Sequence, residues 1–68
     1  MKEFHERLQE IMKYNSINYK ELAEKLNISQ AAMTNYKKGK IQPTLKHFKE
    51  MCIILDVSAD YLLGLKEY

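Results

Sequence analysis

The chain has 68 residues, one cysteine, two glycines, one proline and a formal net charge of +2. That length supports one small domain, and with a single cysteine its core must come from packing, not disulfides. Its longest unbroken apolar run, Met51 to Leu55, is too short to cross a bilayer, and the charged N-terminus MKEFHERLQE offers no signal-peptide apolar region.

These features lead us to expect a single cytoplasmic domain over residues 1–68. In chain order, Phe4, Leu8, Ile11 and Met12 line one face of a first helix running from about Lys2 to Tyr14. Lys2, Glu3, Glu6, Arg7, Glu10 and Lys13 solvate the rest, and Asn15-Ser16 ends it. Asn18 then caps a second helix with Glu21 at the capping-box position. In YKELAEKL, residues Tyr19, Leu22, Ala23 and Leu26 form the i, i+3, i+4, i+7 stripe of a buried face. Asn27 suits a left-handed helix stop, and Ser29 caps a third helix, QAAMTNYKK, that ends at Gly39. Two short helices joined by so tight a corner form a helix-turn-helix over residues 19–38, whose second helix can project into a DNA major groove.

After the loop Lys40 to Pro43, Thr44 caps a fourth helix with a broad apolar face of Leu45, Phe48, Met51, Cys52 and Leu55. Asp56-Val57 interrupts the chain. Ser58 caps a last short helix, with Leu62 and Leu65 pointing inward and Tyr61 half exposed. Five helices and no strand make an all-α fold.

The charge is unevenly spread. Residues 1–36 carry five basic and five acidic side chains, so their net charge is zero. Residues 37–50 carry Lys37, Lys38, Lys40, Lys46 and Lys49 against Glu50 alone, while residues 51–68 are net acidic. A lysine run is by itself an ordinary solvated face; next to a helix-turn-helix it reads as a phosphate-facing patch. On the third helix, ~100° per residue gathers Ala32, Met33 and Tyr36 on the core side. Ala31, Thr34, Asn35 and Lys38 fall opposite, with Gln30 at the exposed start. Gln and Asn can bond adenine bidentately, and Ala or the Thr methyl can touch a thymine methyl. This is a base-reading face.

At these residues the chain resembles the Cro/C1-type (XRE-type) helix-turn-helix domain of phage and bacterial repressors. The likeness rests on ELAEKLNIS for the second helix and turn, MTNYKKGK for the third, P-T-L opening the fourth and LDVSADYLLG ending the fifth. Ala23 takes the small position where the motif helices cross, and Asn27 stands for the turn glycine. Tyr19 replaces a phosphate-binding Gln, offering its hydroxyl instead. Met12 and Lys37 replace an Arg–Glu pair, so both partners are lost together.

The resemblance implies a five-helix, lambda-repressor-like fold binding double-stranded DNA at a pseudo-palindromic operator. A transcriptional repressor of phage or phage-derived type, acting as a homodimer, is what it implies of function. Gln30, Ala31, Thr34 and Asn35 would contact bases. Asn18, Tyr19, Lys20, Lys38, Lys40 and Lys46 would contact phosphates, and Tyr61, Leu62 and Leu65 would form the dimer interface. The rival reading is an antitoxin or other protein-interaction module built on the same fold.

Other chemistry finds little support. His5 and His47 have no metal-ligand partners at suitable spacing, and Cys52, within FKEMCIIL, reads as core. Tyr14, Tyr36 and Tyr61 fall at core or half-core positions, away from any base-stacking role. No phosphate loop or nucleophile–base arrangement appears, so no enzyme, cofactor, metal, membrane or small-molecule ligand is expected.

Overall fold

The computed structural model describes residues 3–67. The helix start at Lys2 and the solvent-facing roles expected of Lys2 and the Glu3 side chain lie outside the described residues. Five helices follow in order: α1 (Glu3–Tyr14), α2 (Tyr19–Leu26), α3 (Gln30–Lys37), α4 (Leu45–Leu55) and α5 (Ala59–Leu63). There is no strand among the described residues.

The helix starts follow the sequence closely. The Asn18 side chain accepts from the Glu21 amide at 2.8 Å, and the Asn18 amide donates to Glu21 Oε1 at 3.1 Å, a complete capping box. Ser29, Thr44 and Ser58 accept from the amides of Ala32, His47 and Tyr61 and open α3, α4 and α5.

The ends share one device. After each helix a single residue turns left-handed: Ser16, Asn27, Gly39, Asp56 and Gly64. Its amide donates three residues back, to Lys13, Glu24, Tyr36, Ile53 and Tyr61 respectively. The next amide reaches five back, from Ile17, Ile28, Lys40, Val57 and Leu65 to Met12, Ala23, Asn35, Cys52 and Asp60. This is the Schellman arrangement, which satisfies carbonyls that the helix itself leaves open. α3 therefore stops at Lys37, and Gly39 is the left-handed turn beyond it (φ 73°). A Cβ at Gly39 would stand in ordinary contact with the His5 ring, 3.4 Å from Nδ1, so it is the left-handed backbone and not lack of space that favours glycine there.

Of the five left-handed residues, Ser16 is the least suited to its geometry (φ 55°), being neither Gly nor an Asx side chain. The left-handed region costs an ordinary residue about 1–2 kcal/mol, and glycine returns about 0.4–1 kcal/mol of that as unfolded-chain freedom. Ser16→Gly should therefore stabilise the domain by roughly 0.5–1 kcal/mol. A urea midpoint that fails to rise would show that the Ser16 side chain makes a compensating contribution.

One core joins the helices. Phe4, Leu8, Met12, Leu22, Ala23, Leu26, Met33, Tyr36, Met51, Leu55 and Leu62 are buried in it. Ile11, Tyr19, Phe48, Cys52 and Tyr61 pack against it, half-buried. α1 packs on α5, and α2 on both α3 and α4.

Four expectations about burial are corrected. Leu45 is 86% exposed, Tyr14 is 84% exposed and Leu65 is 71% exposed, although each was expected on the core side. Each sits at or beyond a helix end: Tyr14 closes α1, Leu45 opens α4 and Leu65 follows α5. Arg7, expected in solvent, is instead half-buried, with its guanidinium 4.8 Å from the Tyr61 ring centroid.

Candidate nucleic-acid interface

The turn between α2 and α3 fixes what α3 presents. Ala23, 2% exposed, is small enough for the two helices to cross closely. Met33 and Tyr36 anchor the inner side of α3, and the Tyr36 hydroxyl lies 3.1 Å from His47 Nδ1 on α4. With that side locked, Gln30, Ala31, Thr34 and Lys38 are exposed. Asn35 is half-buried at the margin of the same face. The Thr34 hydroxyl donates to the Gln30 carbonyl at 2.9 Å, which commits its proton to the helix. The four residues expected to read bases thus share α3's outer side, Gln30 at its start and Asn35 nearest the core.

The residues expected to hold phosphates divide. Lys20, Lys38, Lys40 and Lys46 are exposed. Asn18 is exposed too, and its side chain caps through Oδ1 only, which leaves the side-chain nitrogen Nδ2 outside the capping box. Tyr19 departs from expectation. Its hydroxyl is buried without a hydrogen bond of good geometry, so it is turned away from any phosphate outside. Burial pushes its pKa up, and the neighbouring Gln9 side chain tempers the rise. What Tyr19 does expose is ring, with Lys37 Nζ 5.1 Å from its centroid. Sequence reasoning placed Lys37 in the basic run and at the lost Arg–Glu position, but in neither the base-reading nor the phosphate set. Its spacing of three and seven residues from Thr34 and Gln30 was the available signal.

The dimer candidates divide as well. Leu62 is fully buried inside this chain and cannot touch a partner without opening the core, a correction to the expected interface. Leu65 is exposed. Tyr61 is half-buried and tied to α1, its hydroxyl donating to Glu10 Oε2 at 3.0 Å. Burial, then the Glu10 carboxylate, raise its pKa. Arg7 adds a bond of 2.7 Å to the Lys66 carbonyl, fastening the segment after α5.

No group of three or more metal-ligating side chains comes together among the described residues. Burial raises the Cys52 thiol pKa, which disfavours the nucleophilic thiolate. No helix among them is long and apolar enough to cross a membrane.

The family model of the Cro/C1-type HTH DNA-binding domain matches residues 7–67. Among curated proteins, the chain is similar to two from Bacillus subtilis (strain 168). The uncharacterized HTH-type transcriptional regulator YqaE is 38% identical over 60 residues, covering 88% of this chain and 52% of that protein. The uncharacterized HTH-type transcriptional regulator YobD is 31% identical over 62 residues, covering 91% and 55%. The chain spans about half the length of these relatives. No solved structure gives a significant match.

Proposed function

The chain belongs to the Cro/C1-type helix-turn-helix DNA-binding family, and we propose that it is a sequence-specific transcriptional regulator, a repressor of phage or phage-derived type. The observation that carries this reading is the outer side of α3. Gln30, Ala31 and Thr34 are exposed there, and all are uncharged, whereas the exposed faces of α1 and α2 are rich in Glu and Lys. Such a face gains little from water and matches the donors, acceptors and methyl groups of base edges. The names of the two relatives, both transcriptional regulators, support the same role.

In this reading α3 lies in the major groove, with Gln30, Ala31, Thr34 and Asn35 against bases. Asn18, Lys20, Lys38, Lys40 and Lys46 hold the backbone on either side and set register. Binding is as a homodimer on a pseudo-palindrome with half-sites ~34 Å apart. Tyr61 and Leu65 are the remaining contact candidates. Acting on DNA in this way places the protein in the cytoplasm.

Selection of bound sequences from random duplex DNA tests the proposal. An enriched inverted repeat is expected, and its spacing gives the dimer geometry. Absence of any enriched sequence would favour the protein-interaction reading. On the selected duplex, Lys38→Ala and Lys40→Ala should weaken binding to all sequences alike. Each should lower the slope of log K against log salt by about 0.9. An unchanged slope would place those lysines away from the backbone.

A further inference from the structure

Between the start of α2 and the edge of α3 lies a crevice of about 190 Å³, lined by Tyr19, Lys20, Gln30, Met33, Thr34 and Lys37. Two of its six walls are ammonium groups on separate helices, and none is a carboxylate. Neither Lys20 nor Lys37 makes an ion pair among the described residues. Two cations brought to one concavity without an acid repel each other mildly, and an anion between them removes that repulsion. Gln30, Thr34 and Lys37 succeed one another at i, i+4 and i+7, so the crevice opens beside the start of the base-reading face.

Lys37 also differs from the other lysines of its run in how it is held. Among the described residues Lys38, Lys40 and Lys46 have no ring or ion-pair partner, whereas Lys37 Nζ rests 5.1 Å from the Tyr19 ring centroid. A cation over a ring face is attracted by the ring quadrupole and loses part of its rotational freedom before any ligand arrives.

We propose that this crevice is a seat for one DNA backbone phosphate, with Lys37 supplying the contact, Lys20 on the far wall, and Tyr19 acting as the positioning residue that holds Lys37. The assignment rests on the DNA-binding reading above. The buried hydroxyl has no part in it: the ring face does the positioning.

The test is a salt titration of the full chain on the selected duplex. Lys37→Met, which keeps the stem and removes the charge, should lower the slope of log K against log salt by about 0.9 and leave the base preference intact. Tyr19→Phe keeps the ring and should bind like the parent. Tyr19→Leu removes the ring and should weaken binding with Lys37 present, but add nothing in the Lys37→Met background. Far-UV circular dichroism checks that each variant is folded, and Tyr19→Met, which also lacks the ring, makes the same comparison should Tyr19→Leu unfold.

A slope unchanged by Lys37→Met, while Lys38→Ala lowers it, overturns the seat and leaves DNA binding standing. Equal losses from Tyr19→Leu in both backgrounds overturn the positioning role. Salt-independent or absent binding by the parent chain overturns both this inference and the function on which it rests.

Discussion

Leu22→Ala should remove a large share of the domain's stability. Leu22 is fully buried, on the helix that packs against both α3 and α4. Removing three buried carbons costs the lost transfer free energy plus a cavity, about 2–5 kcal/mol for such a site. A domain of this size holds only about 0.05–0.15 kcal/mol per residue, or roughly 3–10 kcal/mol in all. At about 4–8 °C per kcal/mol, the thermal midpoint should fall by more than about 10 °C. Leu45→Ala provides the contrast: the same atoms leave a side chain that is 86% exposed, and the midpoint should stay within a few degrees. Similar shifts for the two variants would mean that α2 is not packed as described.

Gln30→Ala and Asn35→Ala should each weaken binding to the selected operator by about 1–3 kcal/mol, roughly five- to 150-fold. The two should relax the preference at different base positions. Five residues apart on a helix, their side chains point about 140° from each other, so they cannot serve one base pair. Gln30 is fully accessible, whereas Asn35 is half-buried and reaches a base from the margin of the face. Neither change removes a charge, so the salt slope should remain that of the parent. Loss of slope without loss of base preference would turn either residue into a backbone contact. Unchanged affinity and preference would remove it from the reading set.

Much of this was legible in the chain because caps and stops are local chemistry. Asn18, Ser29, Thr44 and Ser58 open helices by bonding amides three residues on, a choice made within four residues of sequence. Asn27 as a left-handed stop is equally local. The stripes of α2 and α3 named Leu22, Ala23, Leu26, Met33 and Tyr36 correctly as buried, while Tyr19 and Ala32, at the starts of the two helices, are half-buried. Leu45, Tyr14 and Leu65 were misplaced for one reason: a stripe says which side is apolar, not whether a helix end is covered. Leu62 was credited with an outward role that its complete burial forbids. The direction of the Tyr19 hydroxyl is a rotamer set by α1 and α3 together, and no pattern within α2 encodes it. The same holds for Lys37, whose place over that ring depends on the helix crossing.

The shared helix stop has a consequence for how firmly each part of the domain is held. Beyond α1, α2 and α4 the next residue is apolar and packs on the core: Ile17, Ile28 and Val57. Beyond α3 it is the exposed Lys40, and beyond α5 the exposed Leu65. Local opening is cheapest where few apolar contacts back the backbone bonds. The turn Lys38–Lys40 that follows α3 can therefore loosen without disturbing the core, whereas unwinding α1, α2 or α4 from its end exposes apolar surface at once. That loosening involves the segment that carries Lys38 and Lys40. A tail so constructed adapts its amides and ammonium groups to the helical path of a polyanion, at the cost of ordering when it docks.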